Sequence, residues 1–257
     1  MKAKYIDIHC HLDFKDYKGD FKEVIKRMTD NGIAGITVGT DLESSREAIK
    51  LSEEYENIFA CIGVHPADDR NFIFNEKDFV TLATKPKCVA IGECGLDYFR
   101  FEGDLEAEKS RQEKEFIKQI EFSIKYKKAL MLHIRDAYED AYKILKRYPK
   151  AYGNVHFFTG SIEWAKKFID LGFTISYSGV ITFAREYKEL VKSIPLDKIH
   201  AETDSPFAAP IPYRGKRNEP SYVIEIVKRI AELRGESLER VSSQLLENSK
   251  RTFGLNI

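Results

Sequence analysis

Along the whole chain, short apolar, β-branched runs alternate with longer stretches whose apolar positions recur every three or four residues. The short runs read as strands: Tyr5–His9, Ile33–Gly39, Ile58–Val64, Cys88–Glu93, Ala129–Ile134, Asn154–Phe158, Phe173–Tyr177 and Lys198–Glu202. The intervening pattern predicts helices over Phe21–Asn31, Ser44–Tyr55, Glu106–Tyr126, Tyr138–Tyr148, Ile162–Leu171 and Glu186–Ser193, with a further one near Glu76–Ala83 and a loop at Arg100–Leu105. Ser221–Arg234 and Leu238–Phe253 follow the eighth strand as two more helices.

Strands that alternate with helices run parallel, because each crossover helix returns the chain to the same edge. Eight such units in 257 residues fit a closed, single-domain α/β (β/α)8 TIM-type barrel over residues 1–257. An open doubly wound sheet is the competing architecture, but the glycine fingerprint expected after its first strand is missing.

Composition narrows the function classes. Lys plus Arg (41) and Asp plus Glu (41) cancel, so no global field draws in nucleic acid and any polyanion site must be a local patch. The four cysteines, Cys10, Cys61, Cys88 and Cys94, form no CxxC pair and read as reduced, buried thiols of a cytoplasmic protein. No apolar stretch approaches the roughly 20 residues that span a bilayer. The first strand starts too early to leave room for a signal peptide.

Six potential metal ligands stand at or just past predicted strand ends: His9, His11, Glu93, His133, His156 and Asp204. In a barrel of this kind the C-terminal strand ends share one mouth, where active sites sit. His9 and His11, two residues apart on a strand, face the same way about 7 Å from each other. By the same parity Asp7 lies a layer deeper, placed to orient a ligand imidazole, and His200 and Glu202 fill deeper layers below Asp204. Each ligand alone has an ordinary structural reading. Six on five strand ends do not, because charged groups at the inner end of apolar strands are unfavourable unless paired or coordinated. Imidazole and carboxylate donors suit zinc, manganese, nickel or iron better than calcium. Their number exceeds what one tetrahedral ion needs and fits two divalent ions about 3.5–4 Å apart that share a carboxylate.

Seven segments, IDIHCHLDF, GVHP, IGECGLDY, LHIRDA, HFFTG, ETDSP and RGKRNEP, follow in order between residues 6 and 220. Together they make the chain resemble the TatD-type metal-dependent deoxyribonucleases, within the amidohydrolase superfamily. The resemblance implies one ion on His9, His11, Glu93 and Asp204 and the other on Glu93, His133 and His156, with Glu93 as the bridge and Mg, Mn, Zn or Ni as the metal. Ser205 and Phe207, after Asp204, read as mild variations.

The activity so implied is deoxyribonuclease hydrolysis, 3′-5′ exonuclease-type, on single strands or 3′ ends of DNA by a monomeric protein with no membrane partner. Asp204 is the expected general base, and His65, in Gly-Val-His-Pro, donates to a phosphate oxygen or to the leaving group. Arg214, Lys216 and Arg217 form the one dense basic cluster near the mouth, and Arg214 and Arg217 are the expected backbone contacts, with His65. Arg135 and Asp136 can help place substrate, and Tyr98 and Phe99 either stack on a base or pack the loop. The alternative is a metal-dependent ester or amide hydrolase, such as an aminoacyl-tRNA deacylase. A non-catalytic binding module is disfavoured by the complete ligand set.

Overall fold

A computed structural model describes residues 3–68 and 73–257. Its eight strands are β1 (Tyr5–Cys10), β2 (Ile33–Val38), β3 (Ile58–Ile62), β4 (Cys88–Asp97), β5 (Ala129–Arg135), β6 (Gly153–Val155), β7 (Phe173–Tyr177) and β8 (Ile199–Ala201). They form one parallel sheet in sequence order. The barrel closes just beyond β8, where His11 N donates to Ser205 O at 2.8 Å and Asp204 N to His9 O at 2.9 Å.

The helices are α1 (Phe21–Asp30), α2 (Leu42–Glu54), α3 (Glu76–Ala83), α4 (Leu105–Tyr126), α5 (Tyr138–Leu145), α6 (Ile162–Asp170), α7 (Lys188–Ser193), α8 (Val223–Arg234) and α9 (Leu238–Phe253). Side-chain caps fix several starts: Asp41 and Ser44 build a capping box on α2, and Asp104, Ser161 and Ser237 accept from the first turns of α4, α6 and α9. No helix of the described residues is long and apolar enough to cross a membrane.

Strand alternation separates two cores. Ile33, Ile58, Ala60 and Ile62 pack with Val24, Met28 and Ala48 of the helices. The residues out of step with them, Ala34, Ile36, Phe59 and Cys61, join Ile6, Ile8 and Met131 in a second cluster inside the barrel, closed by Phe253 and Leu255. On the β6–β8 side the interior is polar instead, with Asn154, Ser176, His200 and Glu202 all fully buried. Continuous hydrogen bonds satisfy these groups. His200 Nε2 meets Thr174 Oγ1 at 3.0 Å, Thr174 Oγ1 donates to Asn154 Oδ1 at 3.1 Å, and Asn154 Nδ2 donates to Ser176 Oγ at 2.8 Å.

Two irregularities sit where the site begins. The β1–β2 register shifts between Asp7 and Cys10, and the β4–β5 register shifts between Ile91 and Cys94. A bulge of this kind re-aims side chains that strict alternation would send elsewhere. Glycine permits the second one: Gly92, inside it, has φ +157°, and a Cβ there would lie 2.4 Å from Met131 O, while Gly95, just past it, has φ +140° and a Cβ 2.0 Å from His133 O.

Candidate metal centre

All six predicted ligands converge on the floor of a cleft of about 850 Å³ at the C-terminal mouth of the barrel. The two bulges and two turns put them there. His9 projects from the irregular end of β1 and Glu93 from the bulge of β4, while His133 comes from regular strand near the end of β5. His156 and Asp204 lie just past β6 and β8, which are shorter than their sequence predicts. The chain there turns through positive φ, +44° at Phe157 and +53° at Asp204, so parity along a strand does not position either group.

Glu93 faces two separate sets of donors. Its Oε2 lies 3.4 Å from His9 Nε2 and 3.7 Å from His11 Nε2. Its Oε1 lies 2.9 Å from His133 Nδ1 and 2.8 Å from His156 Nε2, and those two nitrogens are 3.3 Å apart. Asp204 Oδ1 completes the first set at 3.6 Å from His9 Nε2 and 3.5 Å from His11 Nε2, which are themselves 3.2 Å apart. A tetrahedron with metal–ligand bonds near 2.0–2.1 Å has edges of about 3.3–3.4 Å. Donor separations in the first set cluster around that value, so these residues fit an ion. The second set, with three protein donors, leaves coordination positions open.

The ring nitrogens that face away from the centre fix two of the imidazoles. His11 Nδ1 meets Val38 O at 2.9 Å and His133 Nε2 meets Asp97 Oδ2 at 2.9 Å, so each donates outward and turns a lone pair inward. His156 Nδ1 faces Glu202 Oε1 at 3.4 Å. Glu202 also accepts from Phe157 N and Ser176 Oγ, each at 2.6 Å, which ties the site to the polar interior. His9 Nδ1 and His156 Nδ1 are buried with no hydrogen-bond partner among the described residues, and the His9 ring stacks on His156 at 3.9 Å. Asp7 departs from expectation. The β1 bulge turns it away from the imidazoles, and its carboxylate accepts from His9 N, Thr203 N and Thr203 Oγ1. It clamps β1 to the chain that carries Asp204.

Electrostatics describe a centre short of positive charge. Burial favours the neutral form of Glu93, but His156, His65, His9 and His133 outweigh it and hold the carboxyl well below the usual range. Asp204 is likewise lowered, against its burial, by His11, His9 and His156. Burial opposes charging of the imidazoles. Even so, Asp204 and Glu93 push His11 up to about 9, Asp97 and Glu93 raise His133, and Glu93 and Glu202 raise His156. His9 is lowered by burial and by His156 against it. Without an ion, protons collect where cations would bind.

Around the centre, His65 lines the cleft with Nε2 3.6 Å from Glu93 Oε1, and Asp68 Oδ1 holds its Nδ1 at 2.8 Å. Arg135 also lines the cleft, its guanidinium flat on Phe99 at 3.5 Å, so that face of Phe99 is not open to a base. The structure does not bring Arg214 or Arg217 to the cleft. Arg217 pairs through both terminal nitrogens with Asp20, at 2.6 and 2.7 Å, and is not free for phosphate. Arg214 lies on Phe183 at 3.8 Å, outside the cleft lining. The RGKRNEP segment instead braces the Asp204 loop. The fully buried Asn218 donates to Thr203 O at 2.9 Å and Phe207 O at 2.6 Å, on either side of Asp204, and Glu219 pairs with Arg27 at 2.7 Å.

Sequence reasoning missed Asp97, Asp68, Phe14 and Phe207 as cleft residues. Asp97 had a signal: it lies on β4 four residues after Glu93, inside a quoted segment. Asp68 and Phe14 lie on exit loops, where no periodicity aims a side chain.

The sequence pattern of the family described as TatD related DNase matches residues 6–254. An uncharacterized metal-dependent hydrolase of Bacillus subtilis, YabD, is 40% identical, with 97% of this chain and 99% of that protein covered. YcfH of Escherichia coli, with the same description, is 34% identical over 98% and 96% of the two chains. The crystal structure of YjjV, a TatD homologue from Escherichia coli, superposes over 100% of both chains with TM-score 0.91 at 28% identity. A barrel of eight parallel strands, a mouth where imidazoles and carboxylates converge, and likeness over nearly the full length of these relatives agree: the chain belongs to the TatD-related family of metal-dependent hydrolases.

Proposed function

We propose that the protein holds two divalent ions and hydrolyses phosphodiester bonds of DNA, at single-stranded 3′ ends. The split of Glu93, one oxygen toward each donor set, supports two ions rather than one. When bound, such a pair supplies an activated water and Lewis acidity toward a phosphoryl oxygen. The observation that carries the substrate is Arg135. It is the sole Arg or Lys among the described cleft-lining residues, and no carboxylate there pairs with it. A guanidinium held on an aromatic face beside an acidic centre suits a phosphate.

The remaining groups have distinct tasks. Asp204 takes the proton of the attacking water; its side chain is 16% exposed against 5% for Glu93, the more open of the two carboxylates in the first set. His65, oriented by Asp68, presents Nε2 to a phosphate oxygen or the leaving oxygen.

Digestion of end-labelled single-stranded DNA with Mg²⁺ or Mn²⁺ tests the reading. Asp204→Asn is expected to lower kcat by about 10²–10⁴, the usual contribution of a positioned base. A wild type that releases no nucleotides with any divalent ion, yet cleaves a carbonyl ester, refutes the phosphodiester assignment.

A further inference from the structure

The loops that follow β7 and β8 form one wall of the mouth. Ile211 N donates to Thr182 Oγ1 at 3.0 Å, and Gly179 packs so near Ala208 that a Cβ would lie 2.1 Å from Ala208 O. Three large apolar side chains stand out from this joined wall: Phe207 is 52% exposed, Ile211 50% and Phe183 38%. Large apolar side chains exposed along one hydrogen-bonded wall are where a partner can bind. Phe207 is at the cleft end, edge-on to Phe14 at 5.8 Å and to His11 at 6.4 Å. Phe183 lies outside the cleft lining and carries the Arg214 guanidinium at 3.8 Å. Arg214 has no carboxylate partner among the described residues, in contrast to the neighbouring Arg217 with Asp20.

We propose that this wall is a stacking track for one nucleic-acid strand leading out of the metal centre. The nucleotide at the lip stacks on Phe207, the next packs on the side of Phe183 away from Arg214, and Arg214, held over the other face of that ring, takes the phosphate beside it. The inference rests on the nuclease reading and adds to it that substrate is gripped beyond the cleft. Charge and shape select this occupant. An exposed ring offers its face only to an unpaired base, and a guanidinium without an acidic partner matches a phosphate. A zero net charge gives a long duplex no general attraction. An apolar peptide would use Phe207 and Ile211 but would leave Arg214 without a role.

The test is the length dependence of KM, with the metal-loaded enzyme on thymidine dinucleotide and octanucleotide. Phe183→Ala and Arg214→Gln are expected to raise KM for the octanucleotide about tenfold, in the range of one lost stacking or charge contact, with kcat held. KM for the dinucleotide, which does not reach Phe183, shifts less than twofold. Phe183→Trp restores the octanucleotide value, and Arg214→Gln lowers the slope of log KM against log salt by about one. Equal effects on both lengths, or on neither, overturn the track. If the wild type cleaves neither substrate, the nuclease reading falls by itself. Anisotropy of labelled octathymidylate then decides the track: binding lost in Phe183→Ala sustains it, and no binding to the wild type overturns it.

Discussion

Replacing Glu202 by Gln should weaken one ion far more than the other, and the structure says which. Glu202 has a carboxylate oxygen within 4.8 Å of a His9 ring nitrogen but forms no ion pair with it among the described residues, whereas its Oε1 lies 3.4 Å from His156 Nδ1. Removing the charge behind this imidazole makes it a poorer donor, and such changes cost about 10–100-fold in metal affinity, or about 1.4–2.7 kcal/mol. The fold tolerates the change. The amide oxygen can keep the 2.6 Å bond from Phe157 N, while Ser176 Oγ, which now donates to the carboxylate, can turn toward Val155 O at 3.5 Å. Glu202→Ala is a worse probe, because it strands two buried donors at about 1–3 kcal/mol each. The assay equilibrates metal-free protein with chelator-buffered zinc and counts bound equivalents by mass spectrometry. The expected curve keeps its step for His9, His11 and Asp204 in place and moves the step for His133 and His156 to higher zinc. Two steps unmoved within twofold, or a shift confined to the first set, would refute the positioning of His156 by Glu202.

Two further outcomes probe the scaffold. Gly95→Ala would place a Cβ 2.0 Å from His133 O at a φ of +140°, so β4 and β5 must separate; a loss of about 3 kcal/mol or more in urea unfolding is expected, and a loss under about 1 kcal/mol contradicts the close approach. His200, buried between Thr174 and Ser249, is pushed down to about 3 by burial and then by Arg251, from 6.5. Its folded value is depressed, so the stability it leaves intact above pH 6.5 is lost as pH falls from there toward 3. At pH 5 that amounts to about 2 kcal/mol. His200→Asn should unfold with that much less pH dependence between 7 and 5 in metal-free melts, and parallel profiles would count against the assignment.

The barrel was legible in the sequence because burial on both faces of parallel strands leaves continuous apolar runs, and the helix pattern between them differs in period. The ligands were legible as residues for the same reason: a histidine or carboxylate at the end of such a run is conspicuous. Their aim was not legible. Parity sent Asp7 toward an imidazole and placed His9 by simple alternation, yet the bulge between Asp7 and Cys10 turns Asp7 to the backbone of His9 and Thr203. His156 and Asp204 lie past their strands, on positive-φ turns that alternation does not describe. The RGKRNEP segment shows the same limit from the side of charge. Arg214 and Arg217 look alike in the sequence, and only the fold sets one against Asp20 and leaves the other on Phe183 without an acidic partner among the described residues. Arg135 reads in the sequence only as a strand-exit residue that can help place substrate, and Phe99, brought alongside from the end of β4, holds it over the cleft. A strand pattern therefore specifies which groups reach the mouth. The irregular residues between the pattern and the loops decide what those groups face, and so decide the chemistry.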